Sequence, residues 1–189
     1  MKWQISPFGL QKCLRHVNES VEFFENHRSP FFRGYNHNTT TGCWVGVKCE
    51  MAVTELLNWA LPNPNLQENY WSFKHKRGNG DIDVITDTKT HVIEVKGLQE
   101  HHWNRYQRCV TPRSLDGYVK RNSIVVWGTT VGDQDNNDVH LRGWNFAREL
   151  KESGQHIRTI CENIQLPKDF PMYSMLDLVW HIRGDNDNE

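Results

Sequence analysis

Charged residues interrupt two short apolar runs in the middle of this chain. The first run is Gly80-Asp81-Ile82-Asp83-Val84-Ile85, and the second is His91-Val92-Ile93-Glu94-Val95-Lys96-Gly97. Both are rich in β-branched residues. A polar stretch, 86–90, connects them and has Asp87 where a type I turn favours aspartate. The pattern predicts a β-hairpin. Side chains alternate faces along a strand, so Asp81 and Asp83 share one face, as do Glu94 and Lys96. A turn centred on Thr88-Lys89 sets Asp83 opposite Glu94, whereas a turn centred one residue earlier sets Asp81 there.

Either register brings two carboxylates together beside a lysine. Buried carboxylates that close cannot all stay ionised unless positive charge neutralises them. A divalent cation does this, and hard oxygen donors at Asp83 and Glu94 suit Mg2+ or Mn2+, which retain waters and bind phosphate oxygens. Lys96 then lies where an ammonium can orient or help deprotonate a metal-bound water and offset charge building up on phosphorus. These are the parts needed for phosphodiester hydrolysis.

The elements around the hairpin follow from periodicity. Leu10, Leu14, Val17, Val21 and Phe24 recur at helical spacing and predict a helix over 8–27. A loop over 29–42 delivers Trp44. Cys49, Val53, Leu56, Leu57 and Ala60 predict a second helix over 46–61, ended by Pro62 and Pro64. On it Glu50 falls at the margin of the apolar stripe, within reach of a neighbouring strand, while Glu55 points away. A strand is expected over 66–74, with a flexible approach through Arg77-Gly78-Asn79-Gly80. Residues 98–110 fit a helix or a long loop. The run Ser123-Ile124-Val125-Val126-Trp127 reads as a buried central strand, and 129–138 as a loop whose Asp135-Asn136-Asn137-Asp138 cluster lacks the Gly and closing Glu of a calcium loop. Helices are expected over 144–153 and 156–164, and 172–182 is apolar enough to dock on the core.

The combination of Glu50 on a helix, Gly80-Asp81-Ile82-Asp83 on one strand and Glu94-Val95-Lys96 on the next resembles the PD-(D/E)XK nuclease superfamily, nearest its resolvase-like and restriction-like branches. The likeness covers 46–97 and the strand at Ile124. It implies an α/β fold with a central mixed β-sheet flanked by helices and a restriction endonuclease-like core over about 44–130; chain length predicts a single domain of 1–183, and the polar run 184–189 a disordered tail. It further implies a Mg2+- or Mn2+-dependent endonuclease in which Asp83, Glu94 and the Val95 carbonyl ligate the metal, Lys96 serves the attacking water and Glu50 is an accessory acid. Asp83 is preferred to Asp81 as the ligand because it runs straight into two apolar residues. Trp103 stands at the spacing after Gln99 where the recombination-exonuclease branch has tyrosine, which disfavours that branch.

Composition bounds the partners. The 189 residues carry a net charge of −1, so any attraction to nucleic acid is local. Positive charge brackets the hairpin. Lys76 and Arg77 before it, and Arg105, Arg108 and Lys120 after it, are candidate contacts to DNA phosphates. His101 and His102 are candidate phosphate contacts, and Trp103 and Trp44 candidate stacking surfaces, although most of the eight tryptophans are expected in the core. Five scattered cysteines exclude a disulfide scaffold and a structural zinc site. No apolar run is long enough to span a bilayer and no signal sequence opens the chain, so a cytoplasmic protein is expected. Cutting both strands of DNA calls for a homodimer or a larger nucleoprotein assembly, such as the nuclease subunit of a mobile-element or defence system. A catalytically idle nucleic-acid-binding domain is the competing expectation.

Overall fold

A computed structural model describes residues 1–26, 40–71, 79–159 and 161–184, with side chains from 23 to 26 left aside. A short strand β1 (Lys2–Gln4) precedes two long helices, α1 (Pro7–Asn26) and α2 (Thr40–Ala60). Then come β2 (Asn65–Glu68), a 3-10 turn at Asn69–Trp71, and the hairpin β3 (Ile82–Ile85) and β4 (Thr90–Leu98). After it follow α3 (Glu100–Tyr106), β5 (Cys109–Val110), α4 (Pro112–Lys120), β6 (Ile124–Thr130) and β7 (Asp138–Phe146). The chain closes with α5 (Ala147–Ser153), the strands β8 (Gln155–Arg158) and β9 (Glu162–Gln165), and α6 (Met175–Arg183).

Six strands form one mixed sheet in the order β1-β7-β6-β4-β3-β2, and β5, β9 and β8 form a smaller one. β4 and β6 are parallel neighbours, and the other pairings in the large sheet are antiparallel. β6 is buried at every residue, as the uninterrupted apolar run predicts for a central strand. Alternation then separates two cores. Ile93, Val95, Ile124 and Val126 pack on one face with α1, α2 and α6, whereas Val125 and Trp127 pack on the other with Trp103, Leu115, Tyr118 and Leu150 of α3, α4 and α5. Glu94 and Lys96 alternate with Val95, and their register partners in β6 are Val125 and Trp127. They therefore project toward the α4 side.

α2 approaches the parallel pair closely. Gly97 and Gly128 are register partners, and Cys49 lies over both. A Cβ on Gly97 would stand 2.6 Å from the Val45 carbonyl oxygen, and one on Gly128 would stand 2.8 Å from Cys49 Sγ. The helix can seat at that depth because neither strand presents a side chain there. Lys48, wholly buried, sends its ammonium to the carbonyls of Asp133 (3.0 Å) and Asn136 (2.8 Å), which fastens the β6–β7 loop to α2. Glu55 faces away from the site and accepts hydrogen bonds from Trp3 and Ser6 at the entry to α1.

Four sequence expectations are corrected. Residues 40–42, expected as the end of a loop, are the first turn of α2, which starts well before the helix expected over 46–61 and includes Trp44, while 29–39 lie outside the described residues. Where a helix was expected over 156–164, the described residues form the antiparallel strands β8 and β9. The spacing of Ile157, Ile160 and Ile164 imitates a helical stripe, but pairing of β9 with both β8 and β5 satisfies the backbone as strands. The helix expected over 144–153 begins only at Ala147. Trp144 is a buried β7 residue paired with Val126, and Glu149 accepts from the Phe146 N–H at 2.8 Å to start the helix. The strand expected over 66–74 is β2 followed by a 3-10 turn, with 72–74 outside the described residues. β7 and β1 were not anticipated, although Val139-His140-Leu141-Arg142 carries the period of two that marks a strand. The loop expected over 129–138 is confined to 131–137, since β6 runs through Thr130 and β7 starts at Asp138; within it the Asp133 and Asn136 side chains accept backbone N–H groups of their own turn. Among the described residues no helix is long and apolar enough to cross a membrane.

Replacing Gly97 with alanine forces a methyl group into the backbone of α2. A loss of about 1–3 kcal/mol in unfolding free energy is expected from such overpacking. Urea titration of Gly97→Ala beside the parent chain measures it, and an unchanged midpoint would contradict the close seating of the helix.

Candidate active site

The β3–β4 turn decides which aspartate faces Glu94. Ile82 pairs with Ile93 and Ile85 with Thr90, and the Thr86 N–H donates to the Lys89 carbonyl at 3.0 Å, so Asp87 and Thr88 are the turn centre. This is one residue earlier than the Thr88-Lys89 centre expected. Asp83 consequently lies opposite Val92, and extending the ladder by one pair brings Asp81 opposite Glu94. Thr86 accounts for the choice: its hydroxyl accepts from the Lys89 N–H at 3.2 Å and donates to the Lys89 carbonyl at 2.9 Å, closing the turn on that pair.

Asp81 and Glu94 meet around Lys96. Asp81 Oδ2 accepts the Val95 N–H at 2.8 Å, which pins it against β4. Lys96 Nζ donates to the Val95 carbonyl at 3.2 Å and lies 3.8 Å from Asp81 Oδ2 and 4.0 Å from Glu94 Oε2. Three oxygens thus surround one positive charge. Glu50 joins them from α2, close enough that Asp81, Lys96 and Glu94 all act on its charge. It is brought there by the Cys49 contact with Gly97 and Gly128 one residue before it.

Burial and crowding set the protonation of the cluster. Desolvation, then the neighbouring Asp81 charge, pushes the Glu94 carboxyl up to about 7, against the opposing pull of Lys96 and Arg121. Desolvation and the Asp81 and Glu94 charges likewise raise the Glu50 carboxyl well above the usual range, with Lys96 opposing. Burial disfavours the Lys96 ammonium, but Tyr118, Asp81 and Glu94 outweigh it and hold its pKa well above that of an ordinary lysine. Lys96 is therefore a cation at neutral pH.

Two residues of this site carried no role in the sequence reading. Arg121, just past the end of α4, donates from Nη2 to Glu94 Oε1 at 2.5 Å. Tyr118, one turn earlier, has its ring centre 5.2 Å from Lys96 Nζ and 5.6 Å from the Arg121 guanidinium carbon. A usable signal existed. Thr111-Pro112 is a helix start, with Thr111 Oγ1 accepting from the Ser114 N–H, and Tyr118 and Arg121 are spaced to share one face of that helix.

The remaining candidates separate by burial. Asp83 is 5% exposed and is occupied within the fold: Oδ1 accepts the Gly80 N–H at 3.0 Å and Oδ2 accepts from Asn69 Nδ2 at 3.0 Å, so it holds the turn that leads into Asp81. Arg108 is 2% exposed, and its guanidinium donates to Asn145 Oδ1 and to the carbonyls of Pro171, Pro167 and Lys168. The phosphate contact expected of it is excluded by that enclosure. Trp103 and Trp44 are core residues and present no stacking face. Arg105, Lys120 and His101 are exposed, and His102 is partly so. Lys76 and Arg77 lie outside the described residues.

Oxygen donors alone, with no thiol or imidazole among them, suit a hard divalent cation. As the side chains stand, no group of three or more His, Cys, Asp or Glu among the described residues is arranged to hold a metal. The Lys96 ammonium fills the point on which Asp81, Glu94 and the Val95 carbonyl converge. The Arg121 hydrogen bond to Glu94 and the Lys96 ammonium between Asp81 and Glu94 offset the repulsion of the two carboxylates in this arrangement.

The folded chain retains a proton on Glu94 between its ordinary value of 4.5 and about 7, where the unfolded chain has released it. Stability therefore falls as pH rises through that window. Glu94→Gln is expected to remove on the order of 2 kcal/mol of that decline, measured as the difference between urea unfolding at pH 5 and pH 8 in chelator; an equal decline in both proteins would contradict it. Asp83→Ala leaves the Gly80 N–H without its acceptor and is expected to cost about 1–3 kcal/mol in the same measurement, whereas Asp83→Asn keeps that acceptor and most of the stability.

No protein-family model, curated protein or solved structure matches the chain significantly. What the site does has to be read from its own side chains.

Proposed function

We propose that this chain is a metal-dependent endonuclease that hydrolyses DNA phosphodiester bonds, with Asp81 and Glu94 as metal ligands and Lys96 and Glu50 serving the attacking water. The observation that carries the reading is the convergence of Val95 O, Asp81 Oδ2 and Glu94 Oε2 on a single positive charge at 3.2, 3.8 and 4.0 Å. Support also comes from the order of elements: a helix bearing Glu50, a strand entered through Gly80-Asp81-Ile82-Asp83, and a neighbouring strand bearing Glu94-Val95-Lys96. That order accords with a restriction endonuclease-like core.

Bound Mg2+ or Mn2+ would supply Lewis acidity toward a phosphate oxygen and lower the pKa of a coordinated water. Asp81, fixed by the Val95 N–H, and Glu94, fixed by Arg121, would hold it together with the Val95 carbonyl. Lys96 remains protonated, so it acts as a hydrogen-bond donor to the water and as a counter-charge to the phosphorane, not as a base. Glu50, held beside the same cluster with its carboxyl raised well above the usual range by burial, is the accessory acid next to that water. Exposed Lys120, beside Arg121, and exposed Arg105 are available to DNA phosphates. A cut through both strands would require a second copy of the chain.

Incubation of the purified protein with linear, supercoiled and branched DNA tests the reading, with Mg2+, with Mn2+ and with chelator. Cleavage is expected only with metal. Asp81→Asn, Glu94→Gln and Lys96→Ala should each lower the rate at least about 100-fold, while Asp83→Asn retains most of it. Absence of metal-dependent cleavage on every substrate, or a Asp83→Asn defect equal to that of Asp81→Asn, overturns the assignment.

A further inference from the structure

The last turn of α4 reaches the carboxylate cluster with two side chains, and both end on residues given a role above. Arg121 Nη2 is 2.5 Å from Glu94 Oε1, while the other Glu94 oxygen, Oε2, is the one that faces Lys96 at 4.0 Å. The arginine thus divides the carboxylate into a held oxygen and a presented oxygen. Its own Nε is buried without an acceptor, so Glu94 is the anchor of the guanidinium as much as the reverse. The guanidinium also lies against the Tyr118 ring, its carbon 5.6 Å from the ring centre. Tyr118 in turn meets Lys96, whose ammonium is 5.2 Å from the same ring centre and interacts with its hydroxyl.

Tyr118 is 8% exposed and belongs to the core shared by α3, α4, α5 and the back of β6. It is therefore a rigid support, unlike a long exposed side chain, whose rotamers would have to be ordered at entropic cost. The segment also has few alternatives. The Arg121 N–H donates to the Gly117 carbonyl, Asn122 adopts a positive φ of 52°, and the Ser123 N–H returns to the Tyr118 carbonyl at 2.9 Å. The chain passes from α4 directly into β6, the parallel neighbour of the strand that carries Glu94 and Lys96.

We infer that the C-terminal turn of α4 is a positioning unit for the site, in which Arg121 orients Glu94 so that only Oε2 is offered to a divalent cation and Tyr118 holds the Lys96 ammonium at the water's side. The inference rests on the nuclease reading and assigns the roles of two residues within it. Ligating carboxylates are themselves commonly hydrogen-bonded, and removal of such a partner typically costs 10–100-fold in metal affinity or activity. The two residues should fail differently. Arg121 acts on ligand geometry and hence on metal affinity, while Tyr118 acts on Lys96 and hence on turnover.

Mn2+ binding by the full chain, measured by isothermal titration calorimetry without DNA, tests this alongside steady-state cleavage. Arg121→Gln should weaken Mn2+ binding by about 10–100-fold, and Arg121→Lys, which restores a cation at lower directional specificity, should recover part of it. Tyr118→Phe should leave Mn2+ affinity at the parent value and lower kcat at saturating metal without raising KM for DNA. Far-UV circular dichroism accompanies each variant, and if Arg121→Gln does not fold, the affinity of Arg121→Lys relative to the parent decides. Parent-like Mn2+ affinity in the folded Arg121 variant overturns the inference while leaving the nuclease reading in place. A parent chain that neither binds Mn2+ nor cleaves DNA overturns both.

Discussion

The seating of α2 on the β4–β6 pair is the contact from which the rest of the site follows. Parallel strands present a ridge of side chains to a covering helix, and Gly97 and Gly128 open a gap in that ridge at one register position. Cys49 fills it, with Val45 backbone above Gly97. The depth of that contact sets where the next residue of the helix, Glu50, stands relative to Asp81, Glu94 and Lys96. Packing of small against small thus places a carboxylate that no strand could supply. The same helix is held from its other side by α1, with Cys13 and Val17 in the shared core, and by the Lys48 tether to the β6–β7 loop.

Gathering three carboxyl groups in a poorly solvated place is unfavourable unless cations enter with them. The fold supplies two, from different directions. Lys96 lies on the strand itself, 30% exposed at its side chain, and Arg121 comes from the crossover that connects β4 to β6. Burial first, and then the neighbouring Asp81 charge, outweigh these cations, so Glu94 and Glu50 still hold protons more tightly than free carboxylic acids do. Arg108 shows the contrast: it is buried among Asn145 Oδ1 and three main-chain carbonyls, and it closes the segment that follows β9 onto the core.

Much of this was legible in the residues. The helical period of α1 and α2, the β-branched hairpin and the uninterrupted apolar run of β6 each depend on local chemistry, and each element formed over its pattern, although α2 extends back to Thr40 through residues read as loop. The pairing of Glu94 with Lys96 is equally local, since two residues on one strand must share a face. Where sequence reasoning failed, a longer-range contact had overruled a local preference. Ile157, Ile160 and Ile164 have helical spacing, but β5 offers β9 a neighbour. Trp144 belongs to β7 because Val126 is there to pair with it.

The choice between Asp81 and Asp83 shows where that boundary falls. Composition and alternation determined that a carboxylate would face Glu94 across the hairpin, because both aspartates are on the same face. They did not determine which one, because register depends on a turn that the Thr86 hydroxyl closes on Lys89. Likewise, the chain by itself specified a lysine beside a glutamate and a glycine after the lysine, while the crossover helix α4 was not anticipated. Only the tertiary structure decided that the glycine would admit Cys49 and Glu50, and that the helix would end with Arg121 on Glu94. Those contacts join residues 27 or more positions apart, and no local pattern encodes the distance between two faces that meet only when the core closes.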